Sequence, residues 1–100
     1  MSSYSFTDTA VKDLEEICDY IAHQNSNAAS QLFDAIRKKC TLVANFPNMG
    51  KSYAKLATNL RGFTIEDYIV FYYPRENGID IVRVISGYRD IEALFLEDEE

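Results

Sequence analysis

At 100 residues, with 47% apolar and 26% charged side chains, the chain has the length for one modest core and the composition of a globular protein rather than a disordered one. No apolar run approaches the roughly 20 residues of a membrane span, and the opening MSSYSFTDTA lacks the basic and apolar blocks of a secretory signal, so a cytoplasmic location is expected. The net charge is −6, but Glu97, Asp98, Glu99 and Glu100 form a solvated acidic end; without them the body carries 10 basic against 12 acidic side chains, a poor match for gripping a phosphate backbone, and no direct nucleic-acid binding is expected.

Tyr4, Ser5 and Phe6 alternate and predict a short first strand. Thr7 or Asp8 then offers a side-chain oxygen to cap a helix. Ala10, Leu14, Ile17, Cys18 and Ile21 recur at helical spacing, with Lys12, Asp13, Glu15, Glu16 and Asp19 on the other side, which predicts an amphipathic helix. HQNSN breaks the pattern, and Ser26 or Asn27 caps a second helix. Its stripe runs through Ala29, Leu32, Phe33, Ile36, Cys40 and Val43 to Phe46, where Pro47 stops it. A few polar residues between two such helices predict an antiparallel hairpin. Cys18 and Cys40 lie on or beside its inner stripes and read as small buried hydrophobes. With His23 the sole histidine and no zinc-type spacing, neither a metal nor a cofactor is expected.

Residues 47–59 carry turn residues and weak periodicity and read as a loop, with a helical turn near Tyr53 to Leu56. From Leu60 the period becomes two. LRGFTI and YIVFYY are β-branched and aromatic, and Glu66-Asp67 joins them into a hairpin. PRENG, 74–78, is a second turn in which Asn77-Gly78 supplies the positive φ. IDIVRVIS, 79–86, is a third strand ended by Gly87. Ile91, Leu94 and Phe95 mark one edge of a last helical turn. The order β-α-α-β-β-β predicts an α+β, two-layer fold in a single domain spanning residues 1–100, a helical hairpin packed on a mostly antiparallel sheet.

The strand 68–73 is apolar or aromatic on both faces, whereas one helical hairpin covers one face only. Strict alternation would put Arg61, Phe63 and Ile65 together, and Ile79, Ile81, Arg83 and Ile85 together. The uncovered face is then either a binding surface or is covered by the 47–59 loop and the C-terminal turn.

FPNMGKSY, LRGFTIEDYIVFYYPRENGIDIVRVISGYRD and a final LF, in this order and at these spacings, resemble the RelE/ParE superfamily of bacterial toxins on its ParE side, over residues 4 to 95. The resemblance implies a type II toxin neutralised by a cognate, ParD-like antitoxin. It also implies a target: ParE-type members inhibit DNA gyrase by binding, with no catalytic residue. RelE-type members are ribosome-dependent mRNA ribonucleases, and in that alternative Arg61, Arg83 and Tyr88 stand at the catalytic positions; a second alternative is a member of the fold that has lost toxicity and serves as a partner-binding module. The lysine-rich part of such a site is missing, and where many members read HGARD this chain reads SGYRD, placing Ser86 at the histidine position. The expected partner-binding residues are Arg61, Phe63, Ile65, Ile81, Arg83, Ile85, Tyr88 and Arg89. Asp90 is expected to cap the last helical turn.

Overall fold

The computed structural model describes residues 2–98. Glu99 and Glu100 lie outside the described residues, as do the side chains of Leu94, Leu96, Glu97 and Asp98, and with them the expected acidic end. The chain runs β1 (Ser3–Phe6), α1 (Asp8–Gln24), α2 (Ser26–Asn45), β2 (Lys51–Ser52), β3 (Arg61–Ile65), β4 (Tyr68–Arg75), β5 (Gly78–Ser86) and α3 (Ile91–Asp98). The sheet order is β1-β5-β4-β3-β2; β1 lies parallel to β5 and every other pair is antiparallel. This is the expected α+β arrangement, with a two-residue fifth strand inside the segment read as a loop.

Thr7 caps α1, its hydroxyl accepting from the Ala10 N–H at 3.2 Å. The expected cap of α2 at Ser26 or Asn27 is corrected to Asn25. One residue does both jobs: its N–H donates to the Ile21 carbonyl at 2.8 Å, and its side chain accepts from Ala28 N–H at 3.1 Å. The polar break therefore shrinks to a single residue, because His23 and Gln24 are tolerated on the solvent side of a continuing helix. The turn at 74–78 is also shorter than expected: Pro74 and Arg75 belong to β4, and Glu76 and Asn77 turn the chain. Proline is admissible there because β3 pairs with β4 only as far as Tyr72, leaving a locally open edge. The positive φ falls on Gly78 (145°), where a Cβ would strike the Ser3 carbonyl of the neighbouring strand. α3 has eight residues rather than one turn, and Asp90 caps it by accepting from Ala93 N–H at 3.2 Å.

The hairpin covers one face of the sheet. Ala10 and Leu14 of α1 and Leu32, Ile36, Cys40, Val43 and Ala44 of α2 pack on Phe63, Val70, Tyr72, Ile79, Ile81 and Val84. Each fully buried aliphatic side chain in such a layer contributes about 1.5–3 kcal/mol. On the other face, Leu60, Phe71 and Ile85 form a smaller cluster. Tyr53, Leu56 and Ala57 of the loop and Ile91 and Phe95 of α3 lie over it. The Phe71 ring has Tyr53 and Phe95 edge-on, each centroid 5.0 Å away. The second face is thus covered by loop and helix.

Strict alternation along β5 is corrected by a β-bulge. Phe71 pairs with Arg83 but Tyr72 pairs with Ile81, so Val82 is the extra residue. Ile79, Ile81 and Val84 face the helices, while Val82 and Ile85 face the loop and α3. The grouping of Ile79, Ile81, Arg83 and Ile85 on one face is undone by that single insertion.

Candidate functional site

The expected site residues take up separate positions. Phe63, Ile65 and Ile81 pack beneath the helical hairpin, and Ile85 is buried on the opposite face. Arg61 sits at the start of β3, and its guanidinium donates to the carbonyls of Gly50 at 2.6 Å and Asn48 at 3.1 Å, holding the turn after α2 against the sheet. Tyr72 reinforces that turn: its hydroxyl donates to the Pro47 carbonyl at 2.6 Å and accepts from Gly50 N–H at 3.1 Å. Burial pushes the Tyr72 hydroxyl above its ordinary value, with Gly50 N–H and Arg61 pulling the other way.

Arg83 lies at the bulge and makes a two-pronged contact with Asp13 of α1, Nε to Oδ2 at 2.8 Å and Nη2 to Oδ1 at 3.3 Å. Tyr88 is 86% exposed, and its hydroxyl reaches Asp67 at 3.4 Å, at the turn between β3 and β4. Arg89 is exposed and forms no ion pair among the described residues. Gly87 keeps an ordinary backbone; its N–H donates to the Asp67 carbonyl at 2.8 Å, and a Cβ would come within 3.3 Å of that oxygen. Arg61 and Arg83 flank the same point of β4 from either side, since Arg61 pairs with Tyr72 and Arg83 with Phe71. Strand spacing puts their backbones about 10 Å apart. Tyr88 lies at the other end of the sheet, beside the turn that follows Ile65, roughly 13 Å along β3 from Arg61. Arg61, Arg83 and Tyr88 do not converge on one point, and each is engaged by groups of the chain itself. Among the described residues no cluster of His, Cys, Asp or Glu could hold a metal ion.

An apolar concavity lies elsewhere, in a groove of about 470 Å³ bounded by β1, α1 and α2. Tyr4, Phe6, Val11, Leu14, Cys18 and Phe33 make its apolar walls, and Glu15, Asp19 and Arg37 stand at its rim. β1 pairs with β5 on one side only, so its outer backbone edge is open. Tyr4 and Phe6 meet edge to face at 6.0 Å, and the Arg37 guanidinium lies 5.8 Å over the Phe33 ring. Residues 60–86 drew the sequence reading to the sheet and away from this groove. Its signal was present in Val11, which falls outside the α1 stripe, and in the aromatic pair of an edge strand.

A second cleft, of about 540 Å³, opens between Thr7, Thr9, Ala57, Tyr73, Val82, Arg83 and Phe95. Of the three candidate catalytic residues only Arg83 reaches it.

The helical hairpin on a mostly antiparallel sheet, with a parallel first strand and a covering C-terminal helix, has a counterpart among known families. The model of the ParE toxin of the type II toxin–antitoxin system parDE matches residues 4–91. The chain belongs to the ParE toxin family. Among solved structures, the chromosomal ParDE TA system from P. aeruginosa matches with a TM-score of 0.69 at 21% identity, covering 86% of this chain and 96% of that one. At that identity the likeness speaks for the fold. No curated protein matches the chain. As a ParE-family member it is a type II toxin, and no helix among its described residues is long and apolar enough to cross a membrane.

Proposed function

We propose that this toxin works in the cytoplasm by binding DNA gyrase, without a catalytic side chain, and that a cognate antitoxin silences it by filling the groove between β1, α1 and α2. The observation that supports toxicity by binding is the scatter of Arg61, Arg83 and Tyr88. A ribonuclease needs a proton-transfer group and phosphate-stabilising cations within reach of one scissile bond. Here the guanidinium groups are spent on Asp13 and on the carbonyls of Asn48 and Gly50. The groove supports the antitoxin half of the reading. Its apolar walls suit the buried face of an amphipathic segment, and the open β1 edge offers main-chain partners to an extended one.

Two assays run side by side test this reading: supercoiling by gyrase with increasing toxin, and in vitro translation with mRNA integrity followed on a gel. Inhibited supercoiling, relieved by co-purified antitoxin, with intact mRNA is expected. Cleaved mRNA with normal supercoiling would replace the reading with the RelE-type ribonuclease.

A further inference from the structure

Charge is divided along this chain in a way the totals conceal. Residues 35–65 hold six of the ten basic side chains, Arg37, Lys38, Lys39, Lys51, Lys55 and Arg61, and no acidic one. The remaining 69 residues hold four basic side chains against all 16 acidic ones. The basic block also contains three exposed apolar side chains. Leu42 is 43%, Phe46 61% and Met49 46% accessible. Successive helical residues turn by about 100°, which places Lys39, Leu42 and Phe46 together on one flank of the buried α2 stripe. Phe33 and Arg37, at the groove of the proposed antitoxin, fall on the other flank. Phe46 leads directly into the turn that carries Met49, whose N–H donates to the Phe46 carbonyl at 2.9 Å, and Met49 shares a surface depression with Lys39 and Lys51. Arg61 and Tyr72 pin that turn from beneath, so the face is pre-organised.

We propose that the α2 flank and turn formed by Lys39, Leu42, Phe46, Met49 and Lys51 are the surface with which this toxin engages its target, and that the target offers a protein segment with apolar side chains flanked by carboxylates. The assignment rests on the reading that the toxin acts by binding. Three large apolar groups bordered by ammonium groups match the anatomy of a protein interface, an apolar centre within a charged rim. A nucleic-acid backbone would match the lysines but leave Leu42, Phe46 and Met49 without a counterpart. A second copy of this chain is a poorer fit: its exposed carboxylates, such as Glu15, Glu16 and Asp19, lie on α1, so the contact would be head-to-tail and would not close.

The test uses the full-length toxin with Phe46→Ser and with the pair Lys39→Glu and Lys51→Glu. All three positions are at least partly exposed, so the fold should persist, and circular dichroism and thermal melts check this. Each variant is assayed for growth arrest on induction, for binding to purified gyrase, for binding to the co-purified antitoxin and for sedimentation as a monomer. Expected is a loss of at least tenfold in growth arrest and in gyrase binding, antitoxin binding within about twofold of the parent, and weaker gyrase binding by the parent as salt rises. If the variants lose growth arrest while even the parent ignores gyrase, the surface stands and the choice of gyrase falls. Full growth arrest by the folded variants overturns the surface and leaves gyrase untouched. Antitoxin binding lost in step, a parent dimer abolished by the variants, or a parent that arrests no growth would each overturn the assignment.

Discussion

Asp13 on α1 holds both the side chain and the strand around Arg83. Its Oδ2 accepts from Arg83 Nε at 2.8 Å and from the Val84 N–H at 3.0 Å. The reason lies in the length of β1. β1 ends at Phe6, opposite Ile81, so β5 beyond that point has no strand on that side. The start of α1 finishes the edge instead. Thr7 N–H donates to the Ile81 carbonyl at 3.0 Å and the Thr7 hydroxyl to the Val82 carbonyl at 3.3 Å, and Asp13 takes the Val84 N–H. The pair is mostly shielded, with side-chain exposures of 16% and 15%. Removing one partner of a buried pair costs about 3–5 kcal/mol. Asp13→Ala should therefore approach that range in urea unfolding, and Asp13→Asn, which retains an acceptor, should lose less. A loss in Asp13→Ala below about 0.5 kcal/mol, the scale of an ordinary surface substitution, would show that the contact is incidental.

The turn after α2 depends on one hydroxyl and one missing methyl. Tyr72→Phe keeps the ring but leaves the Pro47 carbonyl and the Gly50 N–H without their partner. An unsatisfied buried group costs about 1–3 kcal/mol, and the melting temperature should fall accordingly. Gly50→Ala should be at least as damaging. A Cβ there would lie 2.4 Å from the Tyr72 hydroxyl and 2.9 Å from the Gly62 carbonyl, and the second of these is backbone that cannot swing away. Wild-type stability in both variants would mean that the turn is held by Arg61 alone.

The two thiols should differ sharply. Cys40 is fully buried in the α2 stripe, and burial pushes its thiol up to about 12. Cys18 is half-buried at the groove, its thiol raised by burial first and the Asp19 carboxylate second. Since the thiolate is the reactive form, a thiol reagent at pH 8 should modify Cys18 slowly and leave Cys40 untouched until the chain unfolds. Bound antitoxin should slow Cys18 further if it fills the groove. Unchanged Cys18 labelling in the complex would move the antitoxin elsewhere. The raised Cys40 value also has a consequence for stability. A group whose folded value exceeds its unfolded one stabilises fully below the unfolded value, so the contribution should fade as pH rises from 9.0 towards about 12.

Much of the fold was legible because its strongest signals are periodic and local. Leu32, Ile36, Cys40 and Val43 mark α2, and the two-sided apolar run from Tyr68 to Tyr73 marks a strand covered on both faces. Other features left no trace in local pattern. Nothing in IDIVRVIS distinguishes Val82 as the inserted residue, since the run is β-branched throughout, yet that one residue decides which of Ile81, Val82 and Ile85 share a face. The carboxylate partner of Arg83 lies 70 positions away on α1, beyond the reach of any spacing rule. The sheet face read as either open or covered is covered, because α3 is long enough to bring Phe95 over Phe71. The groove and the basic α2 flank were missed for another reason. Their signals, an off-stripe Val11 and an acid-free block from 35 to 65, are compositional departures rather than periodic ones.

β1 carries a pH-dependent fastening. Asp80 of β5 accepts from the Ser5 hydroxyl at 2.6 Å and from Arg75 Nε at 2.5 Å, joining the edge strand to the β4–β5 hairpin. The Ser5 hydrogen bond first, and the Arg75 guanidinium with it, hold the Asp80 carboxyl below its ordinary 3.8 against a smaller opposing effect of burial. A carboxyl depressed in the folded state stabilises above its unfolded value, and that contribution is lost as pH falls through the lower, folded value. Arg75 is 62% exposed, so solvent screens its share and the ion pair alone is worth little, about 0–1 kcal/mol. Melting temperature should therefore fall on acidification below about pH 4, and Asp80→Asn should flatten that part of the profile while lowering the plateau slightly. Ser5→Ala and Arg75→Met should each flatten the acid limb in part, because each removes a group that lowers the folded value. In amide exchange at neutral pH, both Asp80→Asn and Ser5→Ala should speed exchange in Ser3–Phe6 and leave β4 unchanged. If both variants retain the parent's acid limb and its β1 protection, the edge strand is held by its main-chain ladder to β5 alone.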